Sequence, residues 1–216
     1  MISVNGCVEQ CGVCEEIVKK ANPNHNNTSA IEYANGYASN GVITYSCANE
    51  GCGFETSDKV SPLFTCLGYS TPMDGRGALA IGYTINNEAI KEYEKVTGKT
   101  LKYGVYAVLK DKLGTDDIFD ENGKANTNAV TAEVSGDNYV AVEFKITGFT
   151  DTYKDLKLAM GAYVITTENE ASDGEATESK PEYSYLQVGK PNEGEKYFFV
   201  SYNDVAKKPS TEEDVA

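Results

Sequence analysis

Six cysteines are the side chains best suited to chemistry in this chain, and all of them lie in the first third of its 216 residues. Two residues separate Cys11 from Cys14, and four separate Cys47 from Cys52. Two cysteine pairs, each on a tight turn, can place four thiolates around a tetrahedral zinc ion. The spacing therefore predicts a structural zinc site with the ligands Cys11, Cys14, Cys47 and Cys52. Two residues outside the pairs are further candidate ligands, Cys7 and His25.

The same cysteines are open to two other interpretations. An even number of cysteines is compatible with three disulfides if the protein is extracellular. The spacing of Cys11 and Cys14 also occurs in redox proteins, but no βαβ pattern surrounds this pair and no cationic residue flanks it. Cys66 alternates with Phe64 and Gly68 in a predicted strand, which favours a small buried apolar side chain there.

Catalytic arrangements are not marked out by the sequence. A Ser–His–Asp or Cys–His arrangement needs a histidine held by packing, and the single histidine, His25, lies in an asparagine-rich loop. Glycoside hydrolysis needs two carboxylates, yet no pair among the 33 acidic residues stands in an apolar setting. The glycines at 75–77 and 51–53 are too closely spaced for a phosphate-binding loop. The sequence therefore predicts that the protein is not an enzyme.

An acidic segment at 116–122 is the second candidate for metal binding. Aligning Gly123 with the turn glycine of an EF-hand places Ile118 where the first carboxylate must stand. The same alignment places Ala129 where the bidentate glutamate must stand. The segment is therefore predicted to be an acidic, turn-forming connection between strands, with a looser oxygen site as the alternative.

The formal charge is −14, from 33 acidic and 19 basic residues. Such a surface repels phosphate backbones and anionic lipid headgroups, which disfavours nucleic acid and anionic membranes as partners. No apolar run approaches the roughly 18 to 20 residues of a membrane-spanning helix, and the first residues lack the basic start of a signal peptide. The polar end at 206–216 is typical of a linker, so we expect the chain to be a piece of a longer polypeptide.

The elements that must position the cysteines form a small module at 1–61. Asn35-Gly36 and Asn40-Gly41 are turn dipeptides, and short strand patterns flank them at 31–34 and 42–46. These signals predict a hairpin between the two cysteine groups. A zinc-ribbon-like, cysteine-rich module is therefore expected at the N-terminus.

The pattern changes at residue 62. Alternating or apolar runs then recur, separated by turn residues, and the helical crossovers that a parallel sheet requires are missing. We therefore expect an antiparallel β-sandwich, immunoglobulin-like or similar, over 62–205. Its eight predicted strands lie at 63–69, 78–85, 101–109, 129–134, 139–147, 157–167, 182–188 and 196–202.

Two segments have patterns that predict which of their residues are buried. Within 139–147, one face of a strand carries Val140, Val142, Phe144 and Ile146, which predicts that this face meets the core. Over 87–97 the apolar residues follow helical spacing, with Asn86 or Asn87 as the N-cap and Gly98 as the terminator. This helix is predicted to cross one edge or end of the sandwich and to bury Ile90 and Tyr93.

Aromatic residues supply the material for ligand binding, because the chain has 15 tyrosines and 7 phenylalanines. An exposed tyrosine offers a large face and a polar tip, which suits sugar stacking or adhesion. Strand alternation buries about half of such residues, and the lack of tryptophan disfavours a dedicated carbohydrate-binding platform. The candidates in the last two predicted strands are Tyr183, Tyr185, Tyr197 and Tyr202.

The segments 63–70, 80–90 and 93–104 resemble an uncharacterised domain of large secreted or wall-attached proteins of anaerobic Gram-positive gut bacteria. The segments 33–37 and 46–52 resemble the cysteine-rich unit that often precedes that domain. The resemblance covers most of the chain and implies a secreted or cell-surface location. It transfers no catalytic residues. It also favours metal over disulfides, because obligate anaerobes make little use of extracellular disulfides.

Together these observations predict a non-catalytic extracellular or cell-surface module that acts as a spacer, adhesion or ligand-binding unit with a structural zinc site. The expected partners are a protein or glycan ligand and the other domains of a longer chain. A carbohydrate-binding or carbohydrate-active domain of a secreted protein is the alternative.

Overall fold

The strands dominate the part of the chain that the computed structural model describes, and every pairing between them is antiparallel. A mainly β class with antiparallel sheets and few helices is therefore confirmed. Side chains are described from residue 26 onward. The described residues are 7–10, 17–22, 26–49, 52, 54–72, 77–114, 116–134, 141–168 and 181–206.

The bounds of the elements are given in chain order. The strands are β1 Cys7–Gln10, β2 Ile17–Asn22, β3 Asn27–Glu32, β4 Gly41–Cys47, β5 Glu55–Val60, β6 Phe64–Ser70, β7 Ala78–Ile85, β8 Lys99–Leu109, β9 Val130–Val134, β10 Ala141–Thr147, β11 Leu158–Glu168, β12 Glu182–Leu186 and β13 Phe199–Val200. The helices are α1 Asn87–Thr97, α2 Lys110–Leu113 and α3 Tyr202–Ala206.

These strands form four antiparallel sheets within the described residues. In the first third of the chain, β1 pairs with β2, and a separate sheet has the order β3-β4-β5. In the remainder, one sheet has the order β10-β7-β6. The other has the order β12-β11-β8-β9, with β13 also paired to β11. The boundary predicted between residues 61 and 62 falls in the connection between β5 and β6.

The predicted hairpin of the cysteine-rich module is formed by the antiparallel strands β3 and β4 and the turn between them. Gly36 has a φ of 79°, the left-handed conformation that glycine adopts without a steric penalty. Its backbone N–H donates to the carbonyl of Tyr33 at 2.9 Å. β3 lies further toward the N-terminus than the predicted 31–34, because Asn27 already pairs with Cys47.

Helix α1 has the predicted bounds and the predicted caps. The Asn86 side chain accepts a hydrogen bond from the backbone N–H of Ala89 at 3.1 Å. Gly98 has a φ of 68° and donates its N–H to the carbonyl of Glu94, which ends the helix. Ile90 and Tyr93 are buried, as the spacing predicts. Because α1 follows β7 and precedes β8, it connects the two larger sheets.

One cluster of buried side chains contains residues from both larger sheets. Leu79 and Ile81 of β7 and Met160 and Val164 of β11 belong to it, and all four are completely inaccessible to solvent. The predicted inward face of β10, which carries Val142, Phe144 and Ile146, is partly buried against the same cluster. Burial of this apolar surface supplies the main driving force for folding of the larger part of the chain.

A second cluster lies on the opposite face of the sheet that contains β8 and β11. Tyr106 and Tyr163 project from these two strands, and Ile118 and Phe119 of the β8–β9 connection cover them. The predicted acidic segment therefore folds back over this sheet, with its two apolar residues buried and its carboxylates exposed.

The end of the described chain differs from the prediction of a strand over 196–202. Only Phe199–Val200 pair with β11, and helix α3 begins at Tyr202. A reciprocal capping interaction explains the change, since the backbone N–H of Ser201 donates to Asp204 Oδ2 at 2.8 Å and that of Asp204 donates to Ser201 Oγ at 3.2 Å. The polar tail was predicted at 206–216, and its residues 207–216 lie outside the described part of the chain.

Asp204 also makes the stability of the chain dependent on acid pH. A hydrogen bond from Lys157 Nζ lowers the pKa of its carboxyl from 3.8 to about 2, and the Ser201 contacts act in the same direction. The ionised carboxylate therefore stabilises the fold above pH ~4, and this contribution is lost as the pH falls toward ~2. Asp204→Asn is expected to flatten the acid dependence of the free energy of unfolding, by less than about 1 kcal/mol because both partners are nearly half exposed. Urea unfolding between pH 2 and 5 measures this, with Asp58→Asn as the exposed control; equal curves for the two variants would refute it.

Candidate metal centre

The hairpin of β4 and β5 places Cys47 and Cys52 at the same end. β4 and β5 pair from Gly41 and Val60 up to Ser46 and Glu55, and Cys47 is the last residue of β4. The backbone N–H of Cys47 donates to the carbonyl of Phe54 at 3.2 Å, and that of Cys52 donates to the carbonyl of Asn49 at 3.0 Å. The second predicted pair of ligands therefore stands on a tight turn that closes a hairpin.

The first pair belongs to the connection between β1 and β2. These strands are antiparallel, and Gln10 pairs with Ile17 at the end next to the connection 11–16. Cys11 and Cys14 are in this connection and lie outside the described residues, as does His25. Cys11 and Cys14 thus fall in the sequence between two paired antiparallel strands. Cys47 ends such a strand and Cys52 lies in the turn that follows it, an arrangement compatible with a zinc ribbon.

Cys7 occupies a different position in the register of the first hairpin. It pairs with Asn22, at the end of β1 opposite to the connection 11–16. Two residues of strand separate it from Gln10, so the two positions are about 10 Å apart. The backbone register therefore favours Cys11 and Cys14 over Cys7 as the ligands from this hairpin.

The sheet β3-β4-β5 has almost no hydrophobic core of its own. Within the described part of 26–61, Ile43 is the single buried hydrophobic side chain. All residues of β5 but the last are exposed, and so are most residues of β3. A unit of this size cannot offset its conformational entropy by burial alone and needs a metal, a disulfide or a neighbouring domain.

The donor set suits zinc. Thiolates bind Zn²⁺ in tetrahedral geometry, and four cysteines on two hairpin turns make a closed structural site without an open position. Among the described residues no group of three or more metal-binding side chains occurs, and only two of the four predicted ligands belong to that part of the chain. Disulfide pairing of the same cysteines stays an alternative interpretation.

The carboxylates of the acidic segment 116–122 serve the local structure. Asp120 Oδ1 accepts hydrogen bonds from the backbone N–H groups of Asn122 and Lys124, both at 2.9 Å. Asp117 Oδ1 pairs with Lys196 Nζ at 2.5 Å and accepts from the Tyr197 hydroxyl at 3.1 Å. These contacts support the prediction of a turn-forming connection.

The four candidate tyrosines have ring contacts within the fold. Tyr197 is 3 % exposed, and its ring packs against Tyr185 with centroids 5.2 Å apart. Tyr183 stacks on Phe119 at 5.2 Å, and Tyr202 stacks on Phe149 at 5.8 Å. Desolvation by burial raises the pKa of both Tyr185 and Tyr197. Much of their aromatic surface is therefore occupied by neighbouring side chains.

A small cavity adjoins Tyr197. Its volume is about 260 Å³, and two ion pairs, Lys110–Glu195 and Lys196–Asp117, line it. Phe199 forms part of the wall, and Lys110 Nζ lies 4.8 Å from the centroid of its ring. The cavity thus combines aromatic and charged groups, and its charges already have partners inside the protein.

Cys66 is separate from both cysteine pairs. It lies in β6, is partly buried, and packs against the main cluster of buried residues. Burial raises the pKa of Tyr83, and the neighbouring Cys66 thiol acts in the same direction. Cys66 thus lies in a strand as predicted, but its side chain is only partly buried.

No known protein family, curated protein or solved structure matches the chain. The resemblance to a gut-bacterial surface domain therefore stays a prediction. None of the helices in the described residues is long and apolar enough to cross a lipid bilayer.

Proposed function

We propose that the chain is a non-catalytic module of an extracellular or cell-surface protein, whose N-terminal strands form a zinc ribbon and whose remaining strands form a β-sandwich spacer or adhesion domain. The observation that carries the proposal is the cysteine-bearing end of the β4–β5 hairpin on a sheet with one buried hydrophobic residue. Such a sheet needs support beyond its own core, which a metal site would supply. The sequence has a second cysteine pair between β1 and β2.

The proposed ligands are Cys11, Cys14, Cys47 and Cys52. Bound zinc would supply folding free energy directly, because a preformed thiolate site does not exist in the unfolded chain. The four side chains would hold the ends of two hairpins together. A closed tetrahedral site leaves no position for substrate, which fits a structural role and not a catalytic one.

Two features of the larger part support the sandwich. Side chains from both larger sheets enter one cluster of buried residues. The Tyr83 hydroxyl of β7 donates to the carbonyl of Leu186 in β12 at 2.9 Å and accepts from the N–H of Ala162 in β11 at 3.0 Å. This tyrosine therefore links one sheet to two strands of the other.

Charge and composition support an extracellular setting with a protein or glycan partner. The net charge of −14 disfavours nucleic acid and anionic membranes. The resemblance of the sequence to surface domains supports a position of the module beside other domains in a longer chain. Carbohydrate binding is the second proposal, and the cavity beside Tyr197 is its only local support within the described residues.

Reconstitution with cobalt tests the proposed ligand set. We expect one Co²⁺ per reduced chain, with the thiolate charge-transfer absorption and intense visible bands of a tetrahedral sulfur site, and displacement of the metal by Zn²⁺. Protein alkylated at its cysteines is the control and is expected to give neither signal. Weak octahedral bands, or no binding by fully reduced protein, would contradict the proposed site.

A further inference from the structure

A cluster of three tyrosines joins the cysteine-rich part of the chain to the larger part. We call it the tyrosine junction: Tyr33 and Tyr37 lie between β3 and β4, and Tyr93 lies on α1. The centroid distances are 5.6 Å for Tyr33 to Tyr37, 5.9 Å for Tyr33 to Tyr93 and 5.7 Å for Tyr37 to Tyr93. Tilted and edge-on rings at these separations attract one another beyond the effect of buried area.

Hydrogen bonds attach the tyrosine junction to the larger part of the chain and to the connection between β5 and β6. The Tyr37 hydroxyl shares hydrogen bonds with the Tyr93 hydroxyl at 3.2 Å and with Thr166 Oγ1 at 3.0 Å. Thr166 belongs to β11 and is only 4 % exposed, so Tyr37 satisfies a hydroxyl that is removed from water. The Tyr33 hydroxyl donates to the carbonyl of Ser61 at 2.8 Å.

The backbone continues the same attachment. The carbonyl of Tyr37 accepts hydrogen bonds from the N–H groups of Leu63 and Phe64, at 3.0 and 3.2 Å. Leu63 is completely buried in the main cluster. The connection from β3 to β4 is therefore tied to the core through main-chain as well as side-chain contacts.

The tyrosine junction is partly buried, since Tyr93 is 6 % exposed whereas Tyr33 and Tyr37 are half-buried. Desolvation raises the pKa of Tyr33 to about 12, and the nearby Glu92 carboxylate acts in the same direction. Desolvation and the hydrogen bond with Tyr37 raise the pKa of Tyr93. Loss of the Tyr37 hydroxyl would leave the buried Thr166 hydroxyl without this bond, which makes that contact costly to break.

A single strand runs from the tyrosine junction to the proposed metal centre. β4 begins at Gly41, where an added Cβ would lie 2.8 Å from the Tyr33 ring, so the strand starts in direct contact with the junction. β4 ends at Cys47, about 20 Å further along an extended chain. A change that orders β4 at Cys47 therefore also affects its other end, where Gly41 contacts the tyrosine junction.

We propose that metal binding at the cysteines stabilises helix α1 and the C-terminal end of β11 through the tyrosine junction. This inference rests on the proposed zinc site. Zinc holds the β4–β5 hairpin in place. The start of β4 contacts the Tyr33 ring, so the ordered hairpin keeps the β3–β4 connection, with Tyr33 and Tyr37, against Tyr93 and Thr166. Loss of the metal releases the hairpin and exposes these groups, so the ribbon and the larger part respond as one cooperative unit.

Hydrogen exchange with mass spectrometry tests the coupling on the full chain, with zinc and after chelation under reducing conditions. In the wild type, chelation is expected to speed exchange in peptides covering α1 and the end of β11 roughly tenfold. In Tyr37→Phe, which lacks the bonds to Tyr93 and Thr166, exchange in α1 is expected to be fast already, and chelation changes it less than about twofold. Tyr153→Phe, an exposed tyrosine far from the junction in sequence, is the control and is expected to behave as the wild type.

The outcomes separate the two proposals. Zinc binding that protects β4 and β5 but leaves exchange in α1 unchanged would overturn the coupling and leave the metal centre intact. A full response to chelation in Tyr37→Phe would overturn the role of the tyrosine junction. Failure of the reduced wild type to bind zinc at all would overturn the metal centre and the coupling together.

Discussion

Replacing Cys52 with serine is expected to weaken zinc binding by more than about a hundredfold and to unfold the β3-β4-β5 sheet. The turn that carries Cys52 closes the β4–β5 hairpin, and only Ile43 is a buried hydrophobic side chain in the described part of 26–61. Without a fourth thiolate the sheet loses its main cross-link. Zinc titration with a chromophoric chelator measures affinity, and hydrogen exchange of peptides from β4 and β5 measures the unfolding.

Cys66→Ser is the matched control for that substitution. Cys66 lies in β6 and packs against the larger core, away from the hairpin ends in the chain. Zinc binding is expected to be unchanged in this variant. Undiminished zinc affinity in Cys52→Ser, or an equal loss in both variants, would contradict the assignment of the ligands.

Replacing Tyr83 with phenylalanine is expected to lower the free energy of unfolding by about 3 kcal/mol. The ring stays, but the carbonyl of Leu186 and the N–H of Ala162, which lie on neighbouring strands of one sheet, lose the hydroxyl that links them to β7 of the other sheet. Both groups remain buried, because Tyr83 is 2 % exposed and its replacement opens no path for water. For a chain of this length the midpoint of thermal unfolding should fall by about 6 to 12 °C, as measured by calorimetry.

Tyr153→Phe is the control, because half of the Tyr153 side chain is exposed and its hydroxyl can exchange a partner for water. Its unfolding free energy is expected to stay within about 0.5 kcal/mol of the wild type. A Tyr83→Phe variant as stable as this control would mean that the two larger sheets do not depend on the hydroxyl bridge.

The features predicted best were those with a strong local pattern. Helix α1 has apolar residues at helical spacing between a capping asparagine and Gly98, so its bounds follow from the sequence. Strand β10 alternates strictly, and its apolar residues face the core as predicted. In both cases the residues that specify the element are neighbours in the chain.

Other elements depend on contacts that no local pattern contains. β5 reads Glu-Thr-Ser-Asp-Lys-Val, with no apolar alternation, and it forms a strand because β4 pairs with it. The predicted last strand is shortened because Ser201 and Asp204 cap a helix. The bond from Tyr37 to Thr166 spans 129 residues, so the tyrosine junction could not be inferred from spacing.

The candidate site shows the same division. Spacing alone identified Cys11, Cys14, Cys47 and Cys52 as a possible ligand set, because short intervals between cysteines are a local signal. It left Cys7 as a further candidate ligand, whereas the register of β1 and β2 sets Cys7 at the end of the hairpin opposite to Cys11 and Cys14. Spacing also cannot separate zinc from disulfides, since both use paired cysteines brought close by a fold.

Metal content tests the zinc ribbon most directly. Protein purified without chelators or nickel resin is analysed for elements and by native mass spectrometry, and its thiols are titrated after denaturation. We expect about one zinc per chain, with all six cysteines titrating as free thiols. A chain without metal and without titratable thiols would contradict the zinc ribbon and establish a disulfide framework in its place.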